Sequence, residues 1–241
     1  MESVMTDRTA EVSPQIYARV AGALYLFIIV AGMFGEFFRD NLIVSGDATA
    51  TANNIMAHES LFRIGVAGEL ISYVCDVAVA VILYILFRPV NKTVALLAAL
   101  FRVVTDGICG INKANLFAVL FFLGGAGYLN VFNPQQLQAL AYFSLKLHTY
   151  GFAIGLVFFA FCLPPLGYLI FKSGYLPKII GVLLTIAGVV YLLNSLALFL
   201  APTLATLTFP LLVIPFVAES SLCLWLLIKG VNVSKWESHQ I

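Results

Sequence analysis

Six apolar stretches, each long enough to cross a bilayer, take up nearly all of this 241-residue chain. About 20 apolar residues in a helix suffice to span the hydrocarbon core. The stretches are residues 17–38, 61–87, 94–123, 149–171, 178–200 and 207–228. None carries the alternating pattern of a membrane β-strand. The expected fold is therefore all-α: a polytopic bundle of six transmembrane helices, with short amphipathic helices in the outer loops. It divides into a tail over 1–16, a six-helix domain over 17–230 and a second tail over 231–241.

Only 10% of the residues are charged, against about 25% in soluble domains. That excludes a soluble enzyme and leaves the lipid bilayer as the main partner. The net charge is +1, and no basic run offers a surface for nucleic acid. Residues 1–16 lack the apolar core of a cleavable signal peptide, so the first apolar stretch is expected to stay in the membrane. Cys75, Cys109, Cys162 and Cys223 all fall inside apolar stretches with no CxxC spacing. They read as small buried hydrophobes rather than as disulfides or metal ligands.

Orientation follows from the distribution of positive charge. Arg8, Arg19, Arg88, Lys92, Lys172, Lys178, Lys229 and Lys235 fall on one side of the six-helix map. Arg39, Arg63 and Lys146 fall on the other. This places both termini in the cytoplasm, with the chain crossing an inner (plasma) membrane as three helical hairpins. In the outer loops, Asp47 is positioned to cap a short helix over 48–58. Asn133-Pro134 marks a second helix start that runs into the fourth span. Pro164-Pro165 are expected to interrupt and kink the fourth helix, and Pro210 with Pro215 to loosen the outer half of the sixth.

Charged residues lie deep inside three of the stretches. At about 1.5 Å per helical residue, Arg102 and Glu219 lie about 15 Å from their cytoplasmic anchors, Asp76 about 18 Å and Asp106 about 21 Å. That is near the middle of a core about 30 Å thick. Glu36, Glu69, Lys113 and Asn194 form a second layer nearer the outside. An ionisable group at such depth costs several kcal/mol unless it is paired or hydrated. Glu69, Ser72, Tyr73, Asp76 and Ala80 share one stripe of the second helix, and Arg102, Asp106, Cys109 and Lys113 one stripe of the third. The tight turn between these helices predicts Asp76 against Arg102 and Glu69 against Lys113. Arg102 and Asp106 are also spaced for a local i, i+4 pair.

The outer pair matches one to one, whereas at mid-depth Asp76, Asp106 and Glu219 oppose Arg102 alone. Either one or two of these carboxyls hold a proton, or a cation binds, or water enters. His148 reads as a solvated or hydrogen-bonded residue where the fourth span meets the outer surface. No Walker loop, HExxH, GxSxG or dinucleotide fingerprint is present. No cofactor and no metal site are expected.

Several motifs carry a family resemblance. They include Tyr17-Ala18-Arg19-Val20-Ala21-Gly22, His58-Glu59-Ser60-Leu61-Phe62-Arg63, Cys75-Asp76-Val77-Ala78, Leu86-Phe87-Arg88-Pro89-Val90-Asn91 and Ser173-Gly174-Tyr175-Leu176-Pro177. Across residues 14–231 the chain resembles a bacterial family of membrane proteins catalogued as domain of unknown function 4386. The resemblance implies a compact multi-helix inner-membrane protein and assigns no catalytic residue.

Three function classes fit. A small carrier, plausible in size as a homodimer, would bind a proton, a cation or a small cationic solute at Asp76, Arg102, Asp106 and Glu219, with Glu69 and Lys113 beside them. An intramembrane enzyme would use a protonated acid on a lipid or isoprenoid. A non-catalytic membrane component would use the charges only to join helices.

Overall fold

The structure, a computed structural model, describes residues 13–239. Most of the expected N-terminal tail lies outside the described residues. Among the described residues, six helical segments are long and apolar enough to cross a membrane. The first is α1 (Pro14–Leu42), capped where the Ser13 hydroxyl accepts from the Gln15 amide, with Pro14 in the first turn. After α2 (Ala48–Ala57) comes the second span, α3 (Glu59–Phe87). The third is α4 (Lys92–Asn112), continued after a turn at Lys113 by α5 (Ala114–Leu123). The fourth is α6 (Pro134–Ser173) and the fifth α7 (Lys178–Leu200). The sixth combines α8 (Pro202–Thr208), a 3-10 turn and α9 (Val213–Ile228). A short α10 (Val233–Ser238) follows.

The outer-loop caps form as their side chains dictate. Asp47 accepts from the Ala50 amide at the start of α2. Asn133 and Gln136 bond each other's backbone amides at the start of α6, satisfying donors that a helix start leaves free. At 40 residues, α6 is about 60 Å long, so its first turns project beyond a bilayer core. It stops where Gly174 takes a positive φ of 71°, a conformation that suits glycine.

The prolines act in two ways. Around Pro210 the sixth span loses its α geometry and passes through a 3-10 turn over Phe209–Leu212. At Pro164-Pro165 the expected interruption does not occur, and α6 stays helical through both. Neighbouring helices support this stretch: Gly188 of α7 comes so near the Ala160 carbonyl that a Cβ there would lie 2.7 Å from it.

The spans pack in chain order and close on themselves: α1 on α3, α3 on α4, α4 on α6, α6 on α7, α7 on α9 and α9 back on α1. Small residues allow the closest approaches. A Cβ on Gly22 would fall 2.7 Å from the Leu227 Cα, so glycine is what lets α1 and α9 complete the ring. At the end bearing both termini, a large core of Ala21, Leu83, Leu86, Leu163, Leu184 and Leu222 fills the interior. Trp236 of α10 joins it and donates its indole N–H to the Leu86 carbonyl. A smaller core around Ile55, Phe62, Leu116 and Leu145 fills the loop end. The buried charges lie between the two. Outside, apolar side chains such as Val30, Val74, Ile111 and Phe121 are exposed in the isolated chain and suit contact with lipid.

Candidate functional site

Two charged layers occupy the interior. In the first, α3 and α4 bring Asp76 and Arg102 together as their stripes predict. Arg102 Nε donates to both Asp76 oxygens at 3.0 Å, and Nη2 to Oδ1 at 2.5 Å. The guanidinium is 2% exposed and lies between two aromatic faces, 4.8 Å from the Tyr25 ring centroid and 5.4 Å from that of Phe159. A planar cation paired with a carboxylate and faced by π-systems is well held even where water is excluded.

The other two acids are placed differently from the expectation of a cluster around Arg102. Asp106 forms no ion pair with Arg102, although the two are four residues apart on α4. Arg102 reaches across to α3 instead, and Asp106 lies within side-chain hydrogen-bonding range of Asp76. Asp106 is buried, and its Oδ2 has no hydrogen-bond partner. Glu219 does not bond Arg102 either. Tyr25 of α1 donates its hydroxyl to Glu219 Oε2 at 2.7 Å, and Tyr191 of α7 to Oε1 at 2.6 Å. Tyr25 thus connects the two halves of the layer, its hydroxyl on Glu219 and its ring against Arg102.

The second layer lies nearer the loop end. Lys113 Nζ donates to Glu69 Oε2 at 2.6 Å, the pair expected from the stripes. Arg39, which the charge map treats as an anchor at the outer surface, is instead 5% exposed. It donates to both Glu69 oxygens at 3.3 and 3.2 Å and pairs with Glu36 at 2.5 Å. Because α1 continues to Leu42, Arg39 stays within the helix. Gly35 leaves room for Glu69, since a Cβ there would sit 2.7 Å from its Oε1. Two acids and two bases make this layer neutral. Asn194 does not join it and bonds Thr208 instead.

His148 also departs from its expected place. It is buried rather than interfacial, with Asn112 donating to its Nδ1 and its backbone carbonyl, each at 2.9 Å. The long α6 carries His148 inside the ring, and Gly151, one turn on, leaves space for the Asn112 side chain. Among the described residues, no group of three or more His, Cys, Asp or Glu is arranged to hold a metal ion.

Signals for Tyr25 and Tyr191 as partners of an acid are absent from local sequence, because the three side chains come from three separate helices. For Arg39 the local signal is its spacing from Glu36, three residues earlier, which puts both on one face of α1.

The six apolar helices are consistent with a multi-pass membrane protein. A curated protein of Archaeoglobus fulgidus, described as an uncharacterized protein, is 31% identical over 170 residues, covering 70% of this chain and 86% of that protein. No solved structure matches. The family model described as Domain of unknown function (DUF4386) matches residues 20–230. The chain belongs to the DUF4386 family.

Proposed function

We propose that this chain is a small proton-linked carrier of an inner membrane, with its exchangeable proton held between Asp76 and Asp106. The observation that carries this reading is the free, buried Oδ2 of Asp106 beside Asp76. Arg102 neutralises one carboxylate, and two ionised carboxylates side by side with a single guanidinium repel each other, so one proton shared by the pair relieves the conflict. A metal cation in that position would face Arg102, which favours the proton. Glu219, held by two phenol hydroxyls, is the second acid of the layer and the candidate contact for a small cationic solute. Both termini are taken as cytoplasmic from the balance of positive charge, and a homodimer suits a carrier of this size.

A second reading, an intramembrane enzyme acting on a lipid or isoprenoid, draws on one feature. A narrow apolar crevice between α3, α4 and α6, lined by Ala80, Leu83, Ala98 and Leu166, reaches Arg102. An apolar chain entering it would bring its end toward the acids.

Proteoliposomes with a trapped pH dye separate these readings. Under an imposed pH gradient, a panel of small organic and inorganic cations should produce solute-dependent proton movement. That movement should be lost in Asp106→Asn and in Glu219→Gln. Unchanged flux in both variants contradicts the carrier reading.

A further inference from the structure

The two charged layers lie on one continuous seam, and beyond Asp76 and Arg102 its charged groups lie on the loop side. From the mid-depth layer toward the loop end, the α3–α4 contact is lined by polar groups. Tyr73 stands between Asp76 and Glu69 on α3, and Lys113 Nζ lies 5.6 Å from the centroid of its ring. Cys109 lies between Asp106 and Lys113 on the inner face of α4 and is buried. Glu69 then leads through Arg39 to Glu36, whose side chain is 43% exposed. Toward the terminal end the same seam offers Ala80, Leu83, Tyr84, Phe87, Ala95 and Ala98, which line the narrow crevice reaching Arg102 and add no charged group to it.

We propose that in this conformation, with no solute bound, Asp76 and Asp106 exchange their proton with the loop end of the bundle, along this seam, with Glu36 as the acid at its mouth. The proposal rests on the proton-linked reading above and adds a route and a side. A proton passes from bulk water to Glu36, then along water admitted past Tyr73 and Cys109, to Asp106 Oδ2. Only O–H bonds form and break, and the proton count is conserved. The groups facing Asp106 are Asp76 from α3, Arg102 and Cys109 from its own helix and Cys162 from α6, with Glu219, Tyr25 and Tyr191 beyond. Those facing Glu36 and Glu69 are Arg39, Asp40, Tyr73 and Lys113, while His148 of α6 lies toward Lys113 and Arg39.

The test uses the full chain inserted in one orientation in vesicles, sidedness being fixed by protease access to a C-terminal tag. With no solute present, a pH step is applied to one face at a time while the infrared band of protonated carboxyl groups is followed. The expected result is a response to a step at the loop face and none to a step at the terminal face. Glu36→Gln should slow that response by about a hundredfold without changing its final size. Glu36→Gln keeps the atoms that contact Arg39, and thermal unfolding of the variant checks that the layer is intact. A response from the terminal face, equal responses from both, or an unchanged rate in a folded Glu36→Gln protein overturns the proposal. A wild-type band that responds to neither face overturns the proton-linked reading itself, and the route with it.

Discussion

Tyr25 touches both halves of the mid-depth layer: its hydroxyl donates to Glu219 at 2.7 Å while its ring lies 4.8 Å from the Arg102 guanidinium. One side chain from α1 therefore links an acid on α9 to the ion pair between α3 and α4. Removing only the hydroxyl separates these roles. Tyr25→Phe keeps the ring over Arg102 and deletes one of the two donors to Glu219. A hydrogen bond to a charged group contributes about 1.5–3 kcal/mol, so unfolding in detergent should shift by that amount. Tyr191→Phe should cost a similar amount, and the double variant more than the sum of the two, because it leaves Glu219 buried with no hydroxyl donor.

Asp76 and Asp106 are neighbours with opposite expected effects. Asp76→Asn leaves Arg102 buried without its counter-ion, which costs about 3–5 kcal/mol. Asp106→Asn removes an acid that pairs with no cation and leaves an amide that can still donate to Asp76, so stability should hold or rise by up to about 1 kcal/mol. Denaturant unfolding of both variants checks the difference in sign. A loss of several kcal/mol in Asp106→Asn would make it a structural residue.

Closure of the ring depends on Gly22. In Gly22→Ala the new methyl meets Leu227 backbone atoms, and backbone cannot yield as a flexible side chain can. Overpacking of this kind costs about 1–3 kcal/mol. The damage should be local to the α1–α9 contact, and a disulfide-trapping pair across that contact should cross-link less readily in the variant.

Trp236 holds α10 against the bundle through one hydrogen bond and its buried ring. Trp236→Phe keeps most of the apolar contact and should cost about 1 kcal/mol. Hydrogen exchange at the Trp236 and His239 amides, which bond within this turn, should speed up while α6 amides stay protected.

Much of this arrangement can be read from residue order. Helical period and a short turn suffice to pair Asp76 with Arg102 and Glu69 with Lys113, because neighbouring antiparallel helices bring matching depths together. Tyr25 meets Glu219 through α9 packing against α1, a contact between segments 194 residues apart, and Tyr191 meets it through α9 packing against α7, and no local pattern encodes either. Arg39 is hard to place for a different reason. A positive charge near a helix end resembles an interfacial anchor until the helix proves longer than its apolar stretch. Pro164-Pro165 carry a strong local signal for a break, yet packing on α7 through Gly188 and Gly181 holds that part of α6 helical.

The central claim is that Asp76 and Asp106 share one exchangeable proton. Infrared titration of the purified protein measures it most directly. The account predicts a protonated-carboxyl band at neutral pH that is lost in Asp106→Asn and kept in Glu219→Gln. A spectrum without such a band, or one in which the band survives Asp106→Asn, would contradict it.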